Sequence, residues 1–448
     1  MSTRSITGWG KTSPSAAQII DIVSSDNKLD KGSFKPFIIP RGMGRSYGDA
    51  AQSAGGSVLL TSGLNSVIDN DFEKGVITVE SGISLDELMR LIIPQGWFVP
   101  VTPGTRFVSI GGAIAADIHG KNHHKDGTFS QHVLSAQITT PNAKLEISPN
   151  QNQDLWWATV GGMGLTGLIT QATIQLQKIS TSKMIVDTER TQDLEQALEK
   201  MSSGDQNYQH SVAWIDCLAK GKSLGRSILL RGNHATLDDL NPKQRQNPLE
   251  FNPKSRIKAP SSMPSGLLNK LTVGAFNQAW YQKAPKFKTG QITSIPSFFH
   301  PLDGVLRWNS LYGSRGFIQY QFVIPFGTES MLRAIVEKIS HSSFAPFLTV
   351  LKRFGEQNKA MMSFPMLGWT LALDIAVKPG LSQFLDTLDD MVASVGGRVY
   401  LAKDSRLRPE LFEMMYPNIN QWRKIQKQYD PNAIMGSDLS RRLGLIKI

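Results

Sequence analysis

The first third of the chain consists of short apolar runs separated by glycine and proline. The runs PFIIP, SVLLTSG and GVITVESG are rich in β-branched residues and stop at these breakers, so they predict strands. The stretch SAAQIIDIVSS follows Ser13 and Pro14 and predicts an N-capped helix instead. A second helix is predicted at SLDELMRLIIPQG, where Ser84 is the N-cap and Gly96 marks the end. This alternation of helices and strands indicates a mixed sheet.

Further along, the order of the predicted elements changes. HVLSAQITTPNAKLEISP predicts a hairpin that turns at Pro141 and Asn142, and GLITQATIQLQKI predicts another strand pair. From about residue 185 the strand-like runs are SVAWIDC, RSILLRG, FIQYQFVIP, LTVLKRFG and TLALDIAVK, and the helical ones are DLEQALEKM, SMLRAIVEKI and LSQFLDTLDDMVASVGG. RPELFEMMYP and INQWRKIQKQYDP predict helices near the end. We therefore predict an α+β fold with an antiparallel sheet in its second half.

The composition is that of a soluble globular protein. The chain has 448 residues, enough for two or three domains, and 40% of them are apolar and 19% charged. It has no apolar run of membrane-spanning length and no signal-peptide core at its beginning, so we expect a cytoplasmic protein. The single cysteine, Cys217, excludes an intramolecular disulfide, a cysteine-based zinc site and an iron–sulfur cluster. Redox chemistry in this chain therefore needs an organic cofactor.

The segment 251–290 stands out within a chain whose formal charge is +11. It contains seven lysines and arginines and no acidic residue, and apolar residues such as Leu271, Phe276 and Trp280 lie between the charges. This pattern is typical of a mobile loop that contacts an anionic membrane surface or a lipid phosphate, and a solvated loop is an equal alternative. Because the chain has neither a helix-turn-helix nor an RNA-recognition pattern, we expect no nucleic-acid partner.

Glycine-rich stretches in the first 170 residues indicate a ligand bound along the backbone. PRGMGRSYGD has three glycines in seven positions together with Arg41 and Arg45, which predicts an anion such as a diphosphate beside the main chain. A plain turn explains this stretch alone equally well. The stretches 102–129 and 160–170 add further glycines, and several such loops fit an extended dinucleotide. A Rossmann site is not indicated, because GMGRSYGD does not convincingly follow a strand and open a helix as that fingerprint requires, and no P-loop motif occurs in the sequence.

Five motifs resemble those of the vanillyl-alcohol-oxidase-like flavoproteins and extend over nearly the whole chain. They are RGMGRSYGDAAQ, PGTRFVSIGGAIAADIHGKNHH, QYQFVIP, GGRVYLAKDSR and DPNAIMGSDLSRRLGL. Within this family they are most similar to the enzymes that oxidise polyprenylphosphoryl-β-D-ribose. The resemblance implies a two-domain α+β flavoprotein, with a PCMH-type FAD-binding domain at 1–184 and a substrate-binding domain at 185–405 that carries the basic loop. It also implies that helices in 406–448 return to the FAD-binding domain.

The same resemblance assigns a set of residues to FAD. They are Arg41, Gly42, Met43, Gly44, Arg45, Ser46, Tyr47, Gly48, Asp49, Gly104, Ser109, Ile110, Gly111, Gly112, Ala116, Asp117, Ile118, His119, Ile169 and Tyr400. The loop 41–49 is expected to wrap the FAD diphosphate through its backbone N–H groups. Many relatives have a histidine at the position of Arg45 that is covalently bonded to the flavin, and its absence here implies non-covalent FAD.

The resemblance also assigns the substrate end of the site. Its catalytic residues are Tyr47, His119, Gln321 and Lys403, and its substrate-binding residues are Lys352, Phe354, Thr370 and Ala372. Lys403 either holds the reacting hydroxyl or removes its proton. Without the motif, a salt bridge to Asp404 or a surface charge would be the favoured interpretation of this lysine. Mycobacterial relatives have a cysteine at the position of Ala372, so a thiol-trapping inhibitor is expected to form no covalent adduct here. Thr370 replaces an asparagine that is frequent in relatives, which bears on the sugar and lipid preference.

The expected reaction follows from the same resemblance. FAD-dependent oxidation of the ribose 2′-hydroxyl gives the 2′-keto sugar, the first half of an epimerisation to the arabinose donor of cell-wall arabinan. The implied partners are an NAD(P)H-dependent short-chain reductase, a quinone or oxygen as electron acceptor, and the inner face of the plasma membrane. The alternatives are a sugar or aldonolactone oxidase of the same fold and the oxidation of another pentosyl lipid. His123 and His124 lack metal ligands at a recognised spacing, so we expect no metal.

Overall fold

The computed structural model describes residues 2–26, 29, 34–35, 37–254, 257–260 and 266–446. Its first sheet has the strand order β1-β2-β4-β3. The strands are β1 (Ser2–Ile6), β2 (Ser15–Asp21), β3 (Ile38–Arg41) and β4 (Ser57–Leu60). Both β2 and β3 run parallel to β4, and β1 pairs antiparallel to β2. The first glycine-rich loop therefore begins where β3 leaves this sheet.

The helix predicted at SAAQIIDIVSS is wrong, because residues 15–21 form strand β2. Ala17 and Ile19 are buried and the residues on either side of them are more exposed, which is the two-residue period of a strand. Strand β2 pairs with a neighbour on both sides, β1 and β4. These tertiary contacts outweigh the local capping signal of Ser13 and Pro14.

The second sheet is antiparallel and has the order β5-β6-β10-β8-β9. Its strands are β5 (Val67–Asp71), β6 (Val76–Glu80), β8 (Val133–Thr139), β9 (Lys144–Ile147) and β10 (Leu168–Gln175). The hairpin predicted around Pro141 and Asn142 is confirmed as β8 and β9. The strand pair predicted at GLITQATIQLQKI is wrong, because its two strands do not pair with each other. The short β11 (Gln177–Lys178) follows β10 and pairs with β7 (Trp97–Phe98).

Helices α1 to α4 belong to the same half of the chain. They are α1 (Leu85–Ile92), α2 (Ile110–Ala115), α3 (His123–Asp126) and α4 (Gln153–Thr159). The N-cap predicted at Ser84 is confirmed, because its hydroxyl accepts from the Glu87 amide and the Glu87 carboxylate accepts from the Ser84 amide. Gly96 ends the segment with a left-handed φ of 83°.

In the described part of the chain the largest sheet has eight strands, in the order β16-β12-β14-β13-β19-β20-β18-β21. They are β12 (Lys183–Thr191), β13 (His210–Ile215), β14 (Ser227–His234), β16 (Phe287–Ser294), β18 (Phe317–Pro325), β19 (Pro346–Phe354), β20 (Gly368–Ala376) and β21 (Arg398–Val399). All pairs are antiparallel, which confirms the predicted α+β class. A separate parallel pair joins β15 (Ile257–Lys258) to β17 (Val305–Leu306). The predicted boundary at residue 184 falls within β12.

The remaining helices lie in the second half of the chain. They are α5 (Leu194–Gly204), α6 (Pro242–Arg245), α7 (Lys270–Lys283), α8 (Ile295–Phe299), α9 (Glu329–His341), α10 (Leu381–Ser394), α11 (Pro409–Met415), α12 (Ile419–Tyr429) and α13 (Asp438–Arg442). Leu332 and Ile335 of α9 and Leu385 and Leu388 of α10 are fully buried in the main core beside the eight-stranded sheet. The helices predicted at DLEQALEKM, SMLRAIVEKI and LSQFLDTLDDMVASVGG are thus confirmed as α5, α9 and α10.

The basic segment 251–290 contains regular structure that the sequence did not predict. Helix α7 occupies residues 270–283 and strand β16 begins at Phe287. Asn277 is buried and its amide donates to Asp216 across 2.8 Å, which holds α7 against the sheet. Residues 255–256 and 261–265 of the segment lie outside the described residues.

The C-terminal helices lie against the first half of the chain. Trp422 Nε1 donates to the carbonyl of Ala158 across 2.8 Å, and Met435 forms a parallel bridge with Ile38. Among the described residues, no helix is both long enough and apolar enough to span a bilayer.

Candidate active site

The loop 41–49 is held in place by its two arginines. The Arg41 guanidinium donates to the carbonyls of Ala51 and Thr7 at 2.9 and 2.7 Å. The Arg45 guanidinium lies over the Trp9 ring, 3.9 Å from its centroid. These side chains therefore brace the loop, and its backbone is left to contact a ligand.

The backbone of this loop offers a row of unused donors. In the described part of the chain, none of the N–H groups of residues 42–46 donates to a protein acceptor. Gly44 has a left-handed φ of 62°, and a side chain at Gly42 would collide with the hydroxyl of Ser109. Consecutive free N–H groups in a tight loop form an anion site. The residues present thus fit the FAD diphosphate.

In the second glycine-rich stretch, the N–H groups of residues 110–112 donate to acceptors within the protein. Ser109 caps α2 by accepting from Gly112, while the amides of Ile110 and Gly111 donate to the carbonyls of Ile83 and Ser81. These N–H groups are therefore engaged with the protein and are not free donors for the diphosphate. Gly104 differs, because a side chain added there would meet no described atom within 4 Å.

Residues 116–118 connect α2 to His119 and are held in place by hydrogen bonds. Asp117 has a φ of 41°, and its buried carboxylate accepts from Ser130, Ser363 and Asn358. Burial raises the pKa of Asp117, and these hydrogen bonds oppose the increase. The Ala116 carbonyl accepts from the Tyr400 hydroxyl at 2.8 Å. Asp117 therefore acts as a structural anchor, and Ile118 is buried beside it.

His119, Gln321 and Thr370 form one hydrogen-bonded group. The Gln321 amide nitrogen donates to His119 Nε2 at 3.1 Å and to Thr370 Oγ1 at 2.9 Å. The Thr370 hydroxyl in turn donates to the Phe322 carbonyl at 2.8 Å, so it can only accept from Gln321. His119 Nε2 must then be an acceptor, which places the ring proton on Nδ1. Neither Nδ1 nor Gln321 Oε1 has a partner in the described structure.

Aromatic rings keep this histidine neutral. The ring centroids of Phe354, Tyr400 and Phe364 lie 4.7, 5.6 and 5.9 Å from that of His119. Burial lowers the pKa of His119 well below its usual range, and the cations of Lys352 and Lys403 lower it further. Phe354 is fully buried and packs against the rings of both His119 and His123.

Lys352 and Lys403 place two cations near His119. Neither ammonium group has a hydrogen bond or an ion pair within the described residues. Burial lowers the pKa of Lys352 to about 8. Burial and the Lys352 charge lower that of Lys403 as well, whereas Asp374 raises it. The alternative of a Lys403–Asp404 salt bridge is wrong, because the Asp404 carboxylate pairs with Arg442 at 2.9 Å.

Tyr47 lies between Lys403 and the largest sheet. The Lys403 nitrogen is 5.6 Å from the centroid of the Tyr47 ring, which packs edge-on against Phe317 at 5.6 Å. Ala372 is paired with Gln321 on the neighbouring strand and is only partly buried. The structure thus brings together the predicted catalytic and substrate-binding residues, with Phe354 behind His119.

Asp374 belongs to this site and was missed by the sequence analysis. Its buried carboxylate accepts from Gln319 and, at 3.3 Å, from the Tyr312 hydroxyl. Burial raises its pKa, and the Lys403 charge is among the opposing effects. Because side chains alternate along a strand, Asp374 shares a face of β20 with Thr370 and Ala372. That period of two was the signal that could have found it.

Other predicted FAD residues lie in or behind the loops. Gly48 packs so tightly on the Asp404 carbonyl that a side chain there would collide with it, and Met43 is 39% exposed. The Ile169 carbonyl accepts from the Ser81 hydroxyl at 2.6 Å. The Asp49 carboxylate accepts from Arg442 at 2.8 and 2.9 Å, so this carboxylate holds helix α13. No group of metal-ligating side chains occurs among the residues that the structure describes.

Comparison with known proteins assigns the chain to a protein family. A family model for an FAD binding domain matches residues 33–148, and one for D-arabinono-1,4-lactone oxidase matches residues 317–443. The chain is 40% identical to decaprenylphosphoryl-β-D-ribose oxidase of Mycolicibacterium smegmatis, over 99% of this chain and 98% of that protein. It is 36% identical to an uncharacterized protein of Streptomyces coelicolor, over 81% and 100% of the two chains. It is also 28% identical to glycolate oxidase subunit GlcD of Bacillus subtilis, over 33% and 34% of the two chains.

These matches agree with the site described above. The FAD-binding match contains the loop 41–49, and the second match contains Gln321, Thr370 and Lys403. Identity of 40% over nearly the full length of both proteins exceeds what a shared fold alone produces. The chain is an FAD-dependent oxidoreductase and belongs to the decaprenylphosphoryl-β-D-ribose oxidase family.

Proposed function

We propose that the protein oxidises the 2′-hydroxyl of a polyprenylphosphoryl-β-D-ribose to the 2′-keto sugar. The observation that carries this proposal is the His119–Gln321 pair beside two buried lysines that form no ion pair within the described residues. A neutral donor, a free amide oxygen and two cations can hold an alcohol and the negative charge that develops on its oxygen. The full-length relationship to a decaprenylphosphoryl-β-D-ribose oxidase supports ribose as the sugar.

The chain's own residues handle the hydroxyl proton. Bound FAD supplies the acceptor for the hydride that leaves the carbinol carbon. Lys403 accepts the hydroxyl proton, because its lowered pKa gives it a neutral fraction near physiological pH. Gln321 Oε1 accepts a hydrogen bond from the substrate, and His119 Nδ1 donates one. Lys352 holds negative charge on the substrate, and Tyr47 closes the site against water.

We propose that FAD is held without a covalent bond. Arg45 occupies the position at which relatives have a flavin-linked histidine, and a guanidinium forms no such link. His119 lies near the loops as well, but its Nε2 is engaged with Gln321. Acid precipitation of the yellow protein should therefore release the colour to the supernatant. Colour retained in the pellet would contradict this attachment.

A second candidate is the oxidation of a soluble aldonolactone or polyol, or of another pentosyl lipid. It is favoured by the D-arabinono-1,4-lactone oxidase model that matches residues 317–443. The two candidates differ in the need for a prenyl phosphate. Equal kcat/KM for D-arabinono-1,4-lactone and for the lipid would support the second candidate.

The proposed reaction requires partners. An NAD(P)H-dependent short-chain reductase would reduce the 2′-keto sugar on the opposite face and complete the epimerisation. A quinone or oxygen serves as the electron acceptor, and turnover under argon with and without menadione separates the two. Both proposed domains, 1–184 and 185–405, contribute residues to the site, since His119 of the first is hydrogen-bonded to Gln321 of the second.

We further propose peripheral binding at the inner face of the plasma membrane through helix α7. Leu271 is 85% exposed and Trp280 is 46% exposed. Lys283, Lys286 and Lys288 follow within the same acid-free segment. Apolar and aromatic side chains with flanking lysines suit an anionic bilayer surface. Flotation with vesicles of phosphatidylcholine and phosphatidylglycerol tests this, with pure phosphatidylcholine vesicles as the control.

The first experiment is an anaerobic absorbance titration of the purified holoenzyme. Polyprenylphosphoryl-β-D-ribose should bleach the flavin band, whereas the arabinose epimer of the same lipid and ribose 5-phosphate should not. Bleaching by the soluble sugars alone would favour the second candidate. An unbleached spectrum with every substrate would overturn the proposed reaction.

A further inference from the structure

A cavity with two cations lies beside the substrate end of the site. It has a volume of about 330 Å³ and is lined by Trp9, Lys11, Arg307, Asn309 and Ser310. The lining contains no acidic residue. Among the described residues, neither Lys11 nor Arg307 forms an ion pair, and the Lys11 ammonium donates only to the Ser310 hydroxyl at 3.0 Å. Two cations without counter-charges at one cavity form a binding site for an anion.

The backbone holds these two cations in an unusual conformation. Lys11 has a φ of 59° and Arg307 a φ of 57°, in the left-handed region that non-glycine residues rarely adopt. Such conformations persist where the surrounding structure imposes them, and they are concentrated at ligand sites. Burial lowers the pKa of Lys11, and the charge of the neighbouring Arg307 lowers it further. An anion between them would relieve this repulsion.

The backbone beside the cavity is hydrogen-bonded to the backbone of Tyr47. The amide of Gly10, the residue before Lys11, donates to the Tyr47 carbonyl at 3.0 Å, and the Gly10 carbonyl accepts from Phe317 at 2.9 Å. The Asn309 amide donates to the Trp9 carbonyl at 3.0 Å. A ligand in the cavity is therefore next to the residue that closes the sugar site.

An apolar strip leads from this place to the protein surface. It consists of the rings of Phe317, Tyr312, Phe347, Phe276 and Trp280. Successive ring centroids are 4.1, 6.4, 5.2 and 6.0 Å apart. The inner two rings are buried, Phe347 is half-buried, and the outer two are exposed on helix α7. The strip thus runs from beside Tyr47 to the helix that we propose as membrane contact.

We propose that the cavity and the apolar strip together bind a prenyl phosphate: the Lys11–Arg307 pair holds the phosphate, and the accessible rings of the strip, those of Phe347, Phe276 and Trp280, hold the isoprenoid chain. This inference rests on the proposed function. In that substrate the phosphate joins the ribose to the prenyl chain, so the three binding surfaces must adjoin one another. The cation pair adjoins Tyr47 through Gly10, and the strip begins at Phe317, which packs against Tyr47.

The test uses farnesyl phosphate as probe and the holoenzyme, with Kd measured by isothermal titration calorimetry. The double variant Lys11→Gln/Arg307→Gln should bind farnesyl phosphate at least tenfold more weakly than the wild type, and farnesol with unchanged affinity. Phe347→Asn should weaken both probes. Phe287→Asn is the matched control, because Phe287 is 62% exposed and lies outside the strip.

The outcomes test the prenyl-phosphate site independently of the proposed oxidation reaction. Wild-type affinity of the double variant for farnesyl phosphate, or no binding of this probe by the wild type, would overturn the prenyl-phosphate site. Equal losses in Phe347→Asn and Phe287→Asn would overturn the role of the strip. The absorbance titration tests the reaction independently, because a protein can bind farnesyl phosphate without oxidising a ribose lipid. Flavin absorbance and Tm of each variant report whether it is folded.

Discussion

The side-chain amide of Gln321 donates to Nε2 of His119 across 3.1 Å, and this bond fixes which histidine nitrogen carries the proton. The same amide is anchored by Thr370 on the neighbouring strand. His119 therefore presents an N–H and Gln321 a carbonyl oxygen to the same space. The orientation of both groups depends on one amide.

Gln321→Glu should disrupt this arrangement while it keeps the shape of the side chain. A carboxylate cannot donate to His119 Nε2, and its negative charge raises the pKa of the histidine. We expect kcat to fall about 100-fold, with KM changed much less, because general acid–base and orienting groups contribute about 10²–10⁴-fold. Gln291→Glu, on a distant strand, is the control and should retain activity. A Gln321→Glu enzyme of normal kcat would show that the tautomer is irrelevant.

Lys403 should be essential, and its role should be visible in the pH profile. Lys403→Met is expected to lower kcat by about 10³-fold, while FAD binding is retained. If Lys403 accepts the proton, kcat/KM of the wild type rises with pH as the ammonium deprotonates. Because burial lowers its pKa, this rise should be complete well below the ordinary lysine value of 10.5.

Lys403→Arg separates the two roles of this residue. An arginine keeps the positive charge but cannot accept a proton at accessible pH. Substantial kcat in this variant, without the rise at high pH, would assign Lys403 to charge stabilisation. Lys200→Met, which removes a surface lysine paired with Glu189, is the control.

Asp374→Asn should shift the pH profile in a defined direction. The Asp374 charge raises the pKa of Lys403, and asparagine removes that charge without changing the size of the side chain. Lys403 should then lose its proton at lower pH, so the rising limb of kcat/KM moves to lower pH. Asp69→Asn, at the solvent-exposed strand β5, should leave the limb in place. A shift to higher pH would contradict the proposed coupling.

Much of the sheet structure was predictable from the sequence, and so was the proximity of the candidate site residues to one another. Strands such as β18 and β20 have apolar runs bounded by breakers, and the motifs around Tyr47 and Lys403 are specific. Strand β2 was not predictable, because Ser13 and Pro14 mimic a helix start and only its partners β1 and β4 decide the outcome. Helix α7 was hidden by its composition, since its buried face depends on single contacts such as Asn277 with Asp216.

The other features that the sequence did not predict are hydrogen bonds between segments that are distant along the chain. Nothing in the local sequence indicates that the amides of Ile110 and Gly111 are used by Ile83 and Ser81. The anchors of Asp117 come from residues such as Asn358 that are far along the chain. Such pairings arise only when the sheets are assembled, so a motif predicts which residues gather but not which atoms stay free.

Arg442 joins the C-terminal helix to the FAD loop, and its removal should reduce both stability and FAD affinity. Its guanidinium binds the Asp49 carboxylate at 2.8 and 2.9 Å and the Asp404 carboxylate at 2.9 Å. Both carboxylates are buried, with side-chain exposures of 8% and 2%. Arg442→Met removes the direct ion-pair partner of two buried carboxylates, which we expect to cost about 3 kcal/mol of unfolding free energy.

The effect on FAD follows from the position of Asp49 at the end of the loop 41–49. Without Arg442 this end is no longer fixed, so FAD should dissociate more readily, and its Kd should rise in a fluorescence titration of the apoenzyme. Arg408→Met is the matched control, because Arg408 pairs with Asp390 at the surface, where such pairs contribute about 0–1 kcal/mol. Thermal unfolding of the holoenzyme should show a clearly lower Tm for Arg442→Met only. Equal Tm values for the two variants would mean that α13 is held by its apolar contacts and that the loop does not depend on it.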